Sequence, residues 1–252
     1  MHVWSKINRL VVTGAVFVVL SGRASAPPAA TTASSPPASS LSGYGTVVAH
    51  GLDALPSATL TDWVSYADTV VVVRVIAESR GVLTAEEAEA GERLELRFVD
   101  LDISDTLWSG PRGLTPSGEI TVSPNAWVVS AHAEDRLLVF PHAARMEVGH
   151  EYLVPLIHDA AFDSPWQALS VGSVLPFDDS VVGQGEAMRD EAGAEAPLED
   201  LSEAAQQLWG LNSEGVARAL ASTSPDSAAK AVSSLPPTER YRAVQKATAD
   251  TE

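Results

Sequence analysis

In the run Thr69–Ile76, Val70 to Val73 stand in a row and only Arg74 interrupts the apolar residues that follow. Eight residues are too few for a membrane span, which needs about 20. Consecutive valines lose side-chain freedom against the preceding turn of a helix. The run therefore predicts a strand, and valine on both of its faces predicts that both are covered. Just ahead, Leu60, Trp63, Val64 and Ala67 fall at helical spacing, and Thr59 or Thr61 can cap them.

Alternation predicts the following strands. Leu94, Leu96 and Phe98 alternate with Glu95 and Arg97; beyond Phe98 the phase changes, and Val99, Leu101 and Ile103 share a face opposite Asp100 and Asp102. That change predicts a bulge or sharp coil in one long strand. "GEITVS", "DRLLVF" and "GHEYLVPLIH" predict three more strands, and "PWQALSVGSVLPFDD" one or two short ones. Pro155 lacks a ladder donor and argues for an edge or a bulge. Trp127, in "SPNAWVVSAH", falls between predicted strands and is the candidate for an exposed, ligand-stacking aromatic. The expected fold is mainly β: a small antiparallel OB-like barrel or coiled sheet of about five to seven strands. A short helix precedes its first strand and a helical tail follows.

The rest of the chain sets the domain plan. "MHVWSKINRLVVTGAVFVVLSGRASAPP" has the layout of an export signal: Lys6 and Arg9, an apolar run from Leu10 to Leu20, then small residues. Residues 1–24 are read as a signal peptide cut after Ala24, with a cut after Ala26 as the alternative. Residues 25–44, rich in Pro, Ala, Ser and Thr, predict a spacer. The β domain is placed at 45–182, an acidic linker at 183–197 and the tail at 198–252. The tail's apolar stripes are thin, which predicts incomplete docking.

Charge and missing residue types narrow the function. Acidic residues outnumber Lys plus Arg by 33 to 16, for a formal charge of −17. Such a surface repels phosphate backbones and anionic lipids, so nucleic acid is not an expected partner, and a membrane is one only through an uncleaved signal. The absence of cysteine removes thiol catalysis, disulfides and zinc–cysteine sites.

"YADTVVVVRVIAES", "LRFVDLDISDTLWSG", "ITVS" and "MEVGHEYLVPLI" occur in an order that resembles a group of exported actinobacterial proteins of unknown function. Those proteins look like small barrels similar to OB folds and to the netrin-like module of metalloproteinase inhibitors. The resemblance covers about residues 66–178 and rests on apolar strands, Asp68, Val148-Gly149 and Tyr152. It implies an OB-like barrel. The cysteines of the inhibitory edge are absent here, so it does not imply inhibition.

No catalytic set stands out. His132, His142, His150 and His158 are the candidate metal ligands, and Asp100, Asp102 and Asp105 a candidate calcium set. "HEYLV" lacks the second histidine of a zinc-protease helix, and Ser227-x-x-Lys230 lacks the companion motifs of penicillin-recognising enzymes. No cofactor is expected. The reading is a secreted or envelope-located, non-enzymatic module that binds a protein or cell-wall component. The alternative is an extracytoplasmic hydrolase or a metal- or ligand-binding protein.

Overall fold

The computed structural model describes residues 45–51, 53–81, 92–130, 133–160 and 164–249. The expected signal peptide with its candidate cleavage sites at Ala24 and Ala26, the expected 25–44 spacer and His132 lie outside the described residues. Seven strands run side by side in a curled mixed sheet that forms a half-barrel. They are β1 (Gly45–Val48), β2 (Thr69–Arg80), β3 (Glu92–Ser109), β4 (Glu119–Ser130), β5 (Ala133–Val139), β6 (Glu151–His158) and β7 (Trp166–Ala168). The order is β1-β5-β4-β3-β2-β6-β7, and a two-residue β8 (Leu175–Pro176) joins β6. Among the described residues five α-helices accompany it: α1 (Leu60–Tyr66), α2 (Glu203–Leu208), α3 (Ser213–Ser222), α4 (Ser227–Ala231) and α5 (Pro237–Ala249).

The sheet is not purely antiparallel as expected, because β1 pairs β5 in parallel. Four residues are too few to announce a strand by alternation, and their partner lies about ninety positions away, so this pairing is invisible locally. β2 sits between β3 and β6, as its composition demands. Val70 and Val72 enter one core with Trp63, Leu153, Phe177, Leu208, Val216 and Leu220. Val71, Val73 and Val75 enter another with Val99, Leu101, Val122, Tyr152, Val154 and Leu156. The helices thus cover one face of β2, while the curl of the sheet covers the other.

The C-terminal helices are part of the first core, not a loosely held tail. Ala204, Ala205, Leu208, Val216, Leu220 and Ala229 are all buried in it. Each helix offers only two or three apolar residues, but together they supply what the valine strand lacks on that side. The acidic 183–197 segment is also packed: Met188 is buried, and a side chain at Gly183 (φ +89°) would run into the Trp209 ring. Arg240 is fully buried and locks α5 in place. Its guanidinium donates to the carbonyls of Ser65, Ser233 and Leu235. Arg240→Ala strands these carbonyls; it is expected to cost about 2–3 kcal/mol and to expose the α5 amides first, as hydrogen exchange would report.

The expected phase slip at Phe98 is absent from β3. The β2–β3 register runs without a break from Ala77–Asp100 to Arg80–Arg97. Arg97 therefore shares a face with Val99 and Leu101, and Leu94 and Leu96 point outward, 59% and 54% exposed. The bulge lies across the ladder in β4, between the partners of Arg97 and Val99, at Ser123-Pro124. Further irregularities near Ser104 and Leu107, and at Ile76, curl the β2–β3 pair.

Arg97 is fully buried and fully used. It bonds Glu78 Oε2 (3.0 Å from Nε), Asn125 Oδ1 (3.3 Å), and the carbonyls of Arg145 (2.6 Å) and Met146 (2.8 Å). The same two residues donate their amides to Glu186, which also accepts from the Tyr152 hydroxyl at 2.6 Å. A buried cation and a buried carboxylate thus clamp one stretch of backbone from opposite sides, although Met146 adopts φ +58°.

Burial pushes the Glu186 carboxyl above the ordinary range, and the Asp68 carboxyl likewise. Such a group holds its proton more tightly folded than unfolded. Its stabilising contribution is complete below the ordinary carboxylate pKa of about 4 and is lost as pH rises through the raised value. Thermal melts should therefore show the midpoint rising as pH falls from neutrality toward the ordinary carboxylate pKa of about 4. Glu186→Gln should flatten that profile.

Pro155 is not at a sheet edge, since β6 is paired on both sides. Its carbonyl accepts from Leu169 N, and N and O of one antiparallel residue face the same way. Its missing donor thus faces the gap between β7 and β8, where no ladder bond is needed.

Candidate functional site

The residues singled out from sequence do not converge. His150 and His158 occupy opposite ends of β6. His142 sits in the β5–β6 connection with φ +59°, its amide bonded to Arg189 O. Among the described residues no group of three His, Asp or Glu side chains is placed to share an ion. Asp100 accepts from Thr121 Oγ1 (2.6 Å), and Asp105 accepts from the Thr106 amide. Ser227 and Lys230 lie on the five-residue α4, whose cap is Asp226.

Trp127 is not an exposed binding aromatic; it is 2% exposed. β4 does not stop at Ser123 but resumes after the bulge and runs to Ser130, which turns Trp127 into a mid-strand residue beside Val129 and Leu137. The Arg80 guanidinium carbon lies 4.3 Å from its ring centroid. Asp135 (2.6 Å) and Glu95 (3.4 Å) hold that guanidinium in place. A cation over the indole face completes its burial.

Two imidazole–carboxylate pairs are present among the described residues; His50 and Glu191, both exposed, lie 3.9 Å apart, and His150–Asp178 is the close pair. His150 Nδ1 lies 2.6 Å from Asp178 Oδ2, and Asp178 Oδ1 accepts the Glu151 amide. The pair is part-exposed at the start of β6. Among the described residues no hydroxyl bonds to this imidazole.

The structure's own opening is the seam between β4 and β7. These strands approach each other, yet among the described residues no ladder bond joins them. The cause is local: β7 has three residues, and β4 carries its bulge and Pro124 on this stretch. A bond from Ser164 Oγ to Thr121 O bridges the seam, and a cleft opens on each side. One, of about 310 Å³, is mainly apolar, with Val122, Pro124, Phe140, Leu169 and Val174 in its walls. Ser170 and Asp53 lie on its rim, linked through Ser57 by hydrogen bonds of 2.7 and 3.2 Å.

The second cleft, of about 640 Å³, combines Trp166 and His158 with Glu119, Thr115, Ser117 and Thr121. Trp166 and His158 are cross-strand partners whose rings meet edge to face, with centroids 4.9 Å apart. The end of β6 is fixed beneath them. Buried Asp68 accepts the His158 amide at 2.8 Å and Arg112 Nη1 at 2.9 Å. Arg112 also donates to the His158 carbonyl. Asp68 is thus a structural anchor for the Trp166 end of the seam. Sequence reading placed Trp166 in the stretch of one or two short last strands but had no sign that β4 and β7 fail to zip, because the residues that meet there, Thr121 and Ser164, are 43 positions apart.

Among the described residues no helix is long and apolar enough to cross a membrane. No protein-family model, no curated protein and no solved structure matches the chain.

Proposed function

We propose that the chain is an exported, non-enzymatic β-barrel module that binds a protein or cell-wall component outside the cytoplasmic membrane. The OB-like or netrin-like kinship with exported actinobacterial proteins belongs to the same proposal. The observation that carries it is the unzipped β4–β7 seam, with a cleft on each side of the Ser164–Thr121 bridge. A half-barrel that leaves room between two strand edges offers a concave surface with fixed walls, the usual setting of a ligand site. The export-type leader, the spacer and the acidic surface read from the sequence supply the location.

The full chain, immobilised and exposed to culture supernatant and cell-wall fractions, should retain a specific component. Recovery of nothing specific, with stoichiometric zinc in the purified protein, would overturn the proposal in favour of the metal-binding alternative. The His150–Asp178 pair is the one feature that favours a hydrolase. If it is catalytic, Asp178→Asn abolishes a hydrolytic activity on wall material that wild type displays.

A further inference from the structure

We infer that the Trp166 cleft is a carbohydrate subsite that takes amino-sugar units of a glycan strand; this rests on the binding reading above and names its ligand class. Four features of the cleft support it. First, its walls mix one indole with a carboxylate and several hydroxyls, instead of presenting a continuous apolar surface. A pyranose ring has the matching character. Its C–H face is apolar and slightly positive, which suits the negative face of an indole. Its rim of hydroxyls needs both donors and acceptors, which Thr115, Ser117, Thr121 and Glu119 supply.

Second, the indole is held rigidly. Trp166 packs against the second core, His158 meets it edge-on, and Asp68 with Arg112 fixes the strand end below. A pre-positioned ring loses little freedom when a sugar stacks on it. Third, Glu119 lines the cleft as a carboxylate, and its cross-strand neighbour Asp102 is faced from β2 by Arg74. A ligand amine or hydroxyl donor can meet Glu119, whereas an anionic polymer is repelled by a chain of charge −17. The chemistry therefore selects a neutral or amine-bearing sugar over a phosphate-linked one. Fourth, a proline-rich peptide, the other ligand an aromatic cleft attracts, docks on grooves lined by several aromatic rings, and this cleft offers one tryptophan, with Leu114, Pro116, Ile120 and Pro165 interspersed among its polar groups.

The test uses the full mature chain, with backbone and indole N–H resonances followed by NMR. The probes are chitotriose, its fully deacetylated counterpart, cellotriose, and a proline-rich peptide as rival. The expected result is a saturable shift of the Trp166 indole N–H and of Glu119 and Thr121 amides with both amino-sugar trimers, tighter for the deacetylated one. Trp166→Ala should weaken binding by about tenfold or more. Trp166→Phe, which keeps a ring, should retain fold and part of the affinity. Glu119→Gln should remove the preference for the deacetylated trimer.

No shift at Trp166 with either amino-sugar trimer would overturn the inference. So would unchanged sugar affinity in a folded Trp166 variant, or shifts there from the peptide alone. The two levels separate cleanly. Retention of wall material or a protein without any trimer binding sinks the sugar subsite and leaves the binding module standing, whereas no retention and no trimer binding sinks both.

Discussion

Val72→Asp and Val71→Asp are each expected to unfold the domain. The two positions are adjacent and point to opposite faces of β2. In an ordinary half-buried strand one of the two would be harmless. Here Val71 is 0% and Val72 4% exposed, and they belong to different cores. An aspartate at either place has no partner for its charge, and a cost on the order of 5 kcal/mol is expected. Typical domains have about 5–15 kcal/mol in total. Ile76→Asp, four residues after Val72, at a bulge and 40% exposed, is the control and should stay within about 0.5 kcal/mol of wild type. Urea titration followed by circular dichroism reads all three. A tolerant Val71 or Val72 would mean that one face of β2 is open to water.

Arg97→Ala should be the most damaging change at a charged residue. The side chain is buried and bridges β2, β4 and the β5–β6 connection through Glu78, Asn125 and the carbonyls of residues 145 and 146. Removing it leaves two peptide oxygens and part of a carboxylate without donors. Breaking such a network from one side costs about 3–5 kcal/mol. Arg97→Met, which fills the volume, should recover only the packing part, because the carbonyls of 145 and 146 still lack donors. Glu78→Gln should cost far less, since Glu78 is 22% exposed in its side chain and water can replace it. Equal and small losses for Arg97→Ala and Glu78→Gln would show that the guanidinium does not hold the connection in place.

The valine run and Arg97 also show what a sequence does and does not disclose. Four successive valines state their environment directly, because no half-exposed strand tolerates that composition, and β2 is an interior strand between β3 and β6. The Thr59 cap was equally local: Thr59 and Asp62 form a reciprocal capping box at the start of α1. Arg97 was opaque. By alternation Leu94 and Leu96 claimed the core and Arg97 the solvent, and the partners that reverse this lie 19 to 49 positions away.

Trp127 misled for a related reason. "SPNA" reads as a turn, but a bulge absorbs it and the strand continues. The helical tail was legible as helices that could cover the valine strand, but its full docking was not, since each stripe is thin by itself and the core that takes it up is supplied by Val70, Val72 and Trp63. The site was the least legible feature. Trp166, Glu119 and Thr121 are ordinary strand residues until β4 and β7 come close without bonding.

Residue-resolved amide hydrogen exchange on the full chain tests the central claim most directly: a doubly covered interior strand in a curled sheet whose β4 and β7 edges stay unzipped. The Thr121 carbonyl faces the seam, and so does its amide. The account predicts that the amides of Val71 to Val75 and of Leu153 and Val154 exchange only through global unfolding. The Thr121 amide, at an edge without a ladder partner, should exchange orders of magnitude faster. Rapid exchange across Val71–Val75, or Thr121 protected as fully as they are, would contradict it.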